Sequence, residues 1–244
     1  MRRGALCLAL AFTLALPAVS TAADADPGLW VGTAVVNRVS RLDGTGVTRT
    51  PAPLNLRLIL HVDTARQARL LKEVVLLWQE GTQNPDGTIA VPGHQVLVAA
   101  DSRIPEFSGV ALRDGDPVGR RISAVGFDFL GSSVNCLGRL GTSGSVTCDL
   151  TLAADAPTNP FLHRYHPDHD NLDAKYEKPA AEVNAVARHL ELAFASPAVP
   201  PQGWGATVIG GTYRERVCGL AKDCLNVEGS FSLDRISALG TLVQ

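Results

Sequence analysis

The residues able to do chemistry concentrate in one stretch of this 244-residue chain. His163, His166, Asp168, His169, Asp170 and Asp173 fall within 11 positions and include half of the six histidines. Imidazole nitrogens and carboxylate oxygens together suit Zn²⁺ or a similar ion, and carboxylates alone suit Ca²⁺. Spacing limits how they can meet. On a helix, positions i, i+3 and i+6 spread over about a third of the circumference, and Pro167 interrupts a helix here. On a strand, i and i+3 face opposite sides. Convergence therefore requires a folded loop. The run Asp168–Asp173 has the carboxylate density of a calcium loop but lacks the Gly and distal Glu of an EF-hand. A plainer outcome is a loop stapled by its own Asx-turns, with carboxylates holding the imidazoles through charge-assisted hydrogen bonds. Either way, the six residues are expected to form one cluster. A divalent ion, Zn²⁺ or Ca²⁺, is the only cofactor the sequence suggests.

These residues sit in a 30-residue interval, 153–182, that shows no strand alternation. Intervals of that length are functional or disordered. Phe161, Leu162, Tyr165, Leu172 and Tyr176 supply apolar anchors that argue for order.

Three resemblances attach to these motifs. His166-Pro-Asp168-His169 resembles the end of the H-x-H-x-D-H signature of metallo-β-lactamase-type hydrolases, which implies a metal-dependent hydrolase. Here the spacing is H-x-x-H-x-D-H, and His189 is the sole downstream histidine. The longer run N159-P-F-L-H-R-Y-H-P-D-H-D-N-L-D173, with L29-W-V-G32 and V227-E-G-S-F, resembles an uncharacterised family of exported bacterial β-rich proteins, which implies export and no particular catalytic residue. Gly28-Leu29-Trp30 resembles the G-x-W opening of lipocalin-type and avidin-type barrels. That likeness implies a Trp plugging one barrel end, Arg235 stacking on it, and a small apolar ligand.

The elements that must position such a loop are strands. Period-two alternation recurs in 29–39, 54–62, 121–129, 145–152, 186–194 and 226–236, the pattern of half-buried strands. Turn-rich stretches such as 84–88, 113–119 and 196–205 separate them. Residues 65–80 are ambiguous. Thr64 and Gly81 could cap a helix. Apolar residues on both faces suit a covered strand instead, after a turn near 63–67, with Leu70, Val74, Leu76 and Trp78 on one face. The two ends resemble each other, with Gly32, Arg38, Ser40 and Leu42 matching Gly229, Arg235, Ser237 and Leu239. Such terminal strands would be neighbours in one sheet or close a barrel. The expected fold is all-β: an antiparallel β-sandwich or distorted barrel of about 8–11 strands, carrying one long His/Asp-rich loop.

Residues 1–23 read as a signal peptide: Arg2 and Arg3, the apolar run 4–16, and Thr21-Ala22-Ala23 before Asp24. The apolar run is too short to span a bilayer. Residues 24–244 then form one β-rich domain with no membrane span after cleavage. Without Arg2 and Arg3, 20 Lys+Arg face 24 Asp+Glu, a net −4, which excludes a basic nucleic-acid binder. Cleavage leaves Cys136, Cys148, Cys218 and Cys224. Their even number in an exported chain favours disulfides, and short loops favour 136–148 and 218–224. No G-x-S-x-G elbow, dinucleotide fingerprint or phosphate loop is present. The sequence therefore points to a secreted or periplasmic binding or structural module for an extracellular or envelope ligand. The alternatives are the metal-dependent hydrolase and the lipocalin-like carrier.

Overall fold

A computed structural model describes residues 24–41, 46–107, 111–113, 116–118, 120–124, 127–154, 156, 185–220 and 223–244. Its strands, in chain order, are β1 Gly28–Ser40, β2 Val47–Val62, β3 Ala68–Leu71, β4 Glu73–Gln79, β5 Thr82–Gln83, β6 Ile89–Val91 and β7 His94–Val98. After a short 3₁₀ helix, Asp101–Glu106, come β8 Ala111–Arg113, β9 Asp116–Val118, β10 Arg120–Ser123, β11 Ser133–Asn135 and β12 Leu137–Gly138. The long strands β13 Ser145–Leu152, β14 Val186–Phe194, β15 Val208–Cys218 and β16 Leu225–Ser237 complete the set. Among the described residues no helix is long and apolar enough to cross a membrane.

Nine strands form one antiparallel sheet in the order β11-β3-β2-β1-β16-β15-β14-β13-β12. Its two edge strands, β11 and β12, are separated in the chain by Cys136 alone. The sheet therefore curls until its edges become consecutive. At that seam β11 pairs with β3 and β12 with β13, so among the described residues no strand joins the two edges and the barrel is not closed. A second sheet, β10-β4-β7, adds a smaller layer. This is the all-β, sandwich-like fold the alternation predicts.

The terminal strands are neighbours. β1 pairs antiparallel with β16 through Gly32↔Leu233, Ala34↔Phe231 and Val36↔Gly229. Under the 197-residue offset of the sequence match, Ala34 corresponds to Phe231, and these two residues face each other. The local symmetry axis thus runs through that pair. Gly32 and Gly229 are equivalent under it and are small for the same reason. A Cβ on Gly32 would lie 1.8 Å from the Ser232 carbonyl oxygen, and one on Gly229 would lie 2.1 Å from that of Val35.

Alternation becomes a core on the inner face. Leu56, Leu58 and Leu60 of β2 align with Ala34, Gly32 and Trp30 of β1, and all but Gly32 are buried. On the opposite face of the same strands, Leu29, Ile59 and His61 are also buried, with Leu239 and Leu242 packed against the cluster. Val243 pairs with β7 through Ala99 N–H to Val243 O (2.8 Å) and Val243 N–H to Leu97 O (2.8 Å), so residues 239–243 lie over this outer face.

Residues 65–80 are extended after a turn at Asp63–Gln67, as expected, but not as one strand. The chain breaks at Lys72 and changes sheet. Leu70 and Val74 are buried, Leu76 is half-buried and Trp78 is exposed, whereas Val75 and Leu77 are buried. The alternation in 121–129 yields only β10, and β15 emerges where no strand was expected. Cys136–Cys148 and Cys218–Cys224 lie at bonding distance, with Cα separations of 4.5 and 4.3 Å. The first ties the seam to β13 and the second closes the β15–β16 hairpin. Pairing of this kind fits an oxidising compartment. Loops this short contribute roughly 2–3 kcal/mol each in the chain-entropy account.

Candidate functional site

The most regular part of the molecule is the ladder β13-β14-β15-β16, where residues align in rows. On β14 the inner series is Val186, Arg188, Leu190, Leu192 and Phe194. On β15 it is Ile209, Gly211, Tyr213, Glu215 and Val217. Two charged residues thus occupy apolar positions. Because Leu190 faces Glu215 and Arg188 faces Val217, Arg188 and Glu215 are diagonal neighbours across the strands.

They satisfy each other. Arg188 Nε donates to Glu215 Oε1, and Tyr213 Oη donates to Glu215 Oε2 at 2.7 Å. The Arg188 and Glu215 side chains are only 12% and 3% exposed. The guanidinium lies 4.3 Å from the centroid of the Phe127 ring, and its Nη1 donates to the Asp128 carbonyl (3.4 Å). Burial alone would lower the Arg188 pKa, but the bond to Glu215 and its charge outweigh that and raise it. Burial, with the Glu215 charge second, pushes the Tyr213 phenol well above its ordinary value. A permanent cation, a phenol held protonated and a carboxylate accepting from both make an electrostatic lock, not a proton shuttle. Close by, Lys72 Nζ lies 3.4 Å from Asp128 Oδ1, while the buried Asp128 Oδ2 has no partner among the described residues.

The same strands present polar rows on their outer face. One row runs Asp149, His189, Arg216, Asn226, and the next Thr147, Glu191, Arg214, Glu228, Arg38. His189 Nδ1 lies 2.7 Å from Asp149 Oδ1. Arg214 Nη1 is 3.5 Å from Glu191 Oε2, and Arg38 Nη1 is 3.6 Å from Glu228 Oε2. Each carboxylate of the rows has a cationic or imidazole neighbour. Arg216 is exposed and has no ionic or hydrogen-bonded partner among the described residues. A groove of about 290 Å³ opens along these rows, lined by His189, Glu191, Arg214, Arg216 and Glu228, with Val47 and Glu215 also reaching it.

His163, His166, Asp168, His169, Asp170 and Asp173 lie outside the described residues. The interval that holds them leaves β13 after Leu152 and enters β14 at Val186. Those two residues pair with each other, one inner step from Leu150↔Arg188. Among the described residues no group of three or more His, Cys, Asp or Glu is arranged to hold a metal. Trp30 is fully buried at the head of β1, and its Nε1 donates to the Asp26 carbonyl (3.1 Å). Arg235 is its register partner, but the guanidinium is directed to the Pro27 carbonyl and lies 3.7 Å from Asp26 Oδ2.

Alternation marks Arg188 in VARHLELAF as a charge in an apolar series. The same signal marks Glu215 in VIGGTYRERVC once β15 is recognised. Taken together, two opposite charges in two inner series are a legible sign of a buried pair. The groove has no such sign, since its residues become neighbours only through strand register. No protein-family profile matches this sequence, and no curated protein matches it.

Proposed function

We propose that this protein is an exported binding module that takes a small polar ligand on the outer face of β14–β16. The unpartnered Arg216 in a groove whose carboxylates all have neighbours carries this reading. The regular antiparallel ladder fixes the backbone that carries this guanidinium, so binding has to order the Arg216 side chain but not the strand beneath it. The paired cysteines support export to an oxidising compartment, as do the charged start, apolar run and small residues of positions 1–23 and the likeness to exported β-rich proteins. The inner face supports an outer site, because Trp30, Tyr213 and Phe127 are fully packed there.

The test uses protein recovered from the periplasm or medium and a panel of small polar metabolites, read by ¹H–¹⁵N chemical shifts. Shifts confined to 189–191, 214–216 and 226–228 are the expected result. A panel that instead perturbs residues around Trp30 would overturn the outer site in favour of an interior one.

A further inference from the structure

The groove's charge pattern specifies more than an anion. We infer that its ligand is a small hydroxylated carboxylate, the chemistry of a uronic acid. This inference rests on the outer-face site proposed above. Arg216 offers a planar fork of donors, the geometry that grips a carboxylate through two parallel hydrogen bonds. On the adjoining row, Glu191 and Glu228 meet their arginines through Oε2 at 3.5 and 3.6 Å. The Oε1 atom of each accepts no hydrogen bond among the described residues. The groove therefore presents one donor fork and two acceptor oxygens.

Register sets their separation. Glu191 and Glu228 sit on the strands to either side of Arg216, two residues along, diagonal positions roughly 7–8 Å apart. A ligand that uses both rows carries a carboxylate at one end and hydrogen-bond donors roughly that far away. An α-amino acid is too short, because its ammonium adjoins its carboxylate. Phosphate or sulfate brings more negative charge towards Glu191 and Glu228 with no donor to offer them. A sugar acid places ring hydroxyls at the required reach. The volume of about 290 Å³ is at the small end of ligand pockets and suits a single ring.

The experiment titrates the purified mature protein with glucuronate, glucose and inorganic phosphate, following backbone amides and the arginine Nε–Hε signals. Glucuronate is expected to shift Arg216 and its row neighbours, and to bind at least tenfold more tightly than glucose or phosphate. Arg216→Gln should weaken glucuronate at least tenfold, Arg216→Lys should restore part of the affinity, and Glu191→Gln with Glu228→Gln should weaken it while leaving phosphate no weaker. Thermal melts establish that each surface variant is folded. Phosphate binding at Arg216 as tightly as glucuronate would overturn the ligand class and leave the outer site standing. Glucuronate shifts that survive Arg216→Gln, or no shift with any of the three probes, would overturn the inference. In the second case the metabolite panel decides separately whether the outer face binds at all.

Discussion

Breaking the Arg188–Glu215 pair one residue at a time should cost more than removing it whole. In Glu215→Leu the Arg188 guanidinium loses its carboxylate while remaining 12% exposed. It keeps the Phe127 ring and the Asp128 carbonyl. A stranded buried charge costs about 3–5 kcal/mol, and those two contacts put this variant near the lower end. In Arg188→Met the Glu215 carboxylate stays buried with only the Tyr213 hydroxyl as donor. The cost is again about 3–5 kcal/mol at neutral pH. The double variant Arg188→Met with Glu215→Leu leaves the Tyr213 hydroxyl without its acceptor, at about 1–3 kcal/mol, and the Asp128 carbonyl without the long 3.4 Å bond from Arg188. It should therefore be more stable than either single variant, with a coupling of at least ~3 kcal/mol. Urea unfolding of the oxidised protein, followed by tryptophan fluorescence, to which the buried Trp30 contributes, measures all four corners of the cycle. Single-variant losses that add to within about 0.5 kcal/mol in the double variant would refute the coupling and with it the electrostatic lock.

Two other perturbations follow. Burial lowers the pKa of His61, which is 1% exposed, against the opposing bond to the Leu239 carbonyl and the nearby charge of Asp63; Arg69 lowers it further. A depressed imidazole stabilises the fold above the unfolded value of about 6.5 and loses that contribution as pH falls below it, at up to about 1.4 kcal/mol per pH unit. Chemical denaturation between pH 7.5 and 5 should show this slope, and His61→Gln should flatten it; an equal slope in both proteins contradicts the assignment. For the His/Asp segment, a chelator is expected to lower the melting temperature, Zn²⁺ or Ca²⁺ to restore it, and His166→Ala with His169→Ala to abolish the response. A melt indifferent to chelator in the unmodified protein removes the ion from the reading.

How much was legible depends on what each feature needed. β13 and β14 appear at the bounds their alternation marks, because one inner face buried against one exposed face leaves a period-two trace in the residues themselves. Residues 65–80 were harder. The chain changes sheet at Lys72, so β3 and β4 are each packed on their own terms and the inner series shifts by one, leaving Trp78 exposed while Leu77 is buried. A single-strand phase cannot survive that change. β15 escaped because Gly210 and Gly211 break its apolar series and Glu215 contradicts it. The contradiction was the useful part, since the sole inward carboxylate of that strand is the partner of the sole inward cation of β14.

The two faces of Tyr213-Arg214-Glu215-Arg216 explain why one short strand segment serves both stability and recognition. A strand sends alternate side chains to opposite sides. Tyr213 and Glu215 therefore lock β15 to β14 from within, and the same extended backbone fixes Arg214 and Arg216 outside. Arg188 fixes β14 in register against β15, and a slip of one residue would turn Arg188 outward and bring His189 into the core. The buried pair thus penalises every register except the one that places His189 beside Arg216 and Glu191 beside Arg214. The inner network thus steadies the groove, whose lining includes Glu215 itself. A variant that replaces Arg188 and Glu215 together by apolar residues should fold, yet hold the outer rows less strictly. Broadened ¹⁵N signals at 189, 191, 214 and 216 are the expected mark of that loosening, and unchanged signals there would show that the outer rows need no inner lock.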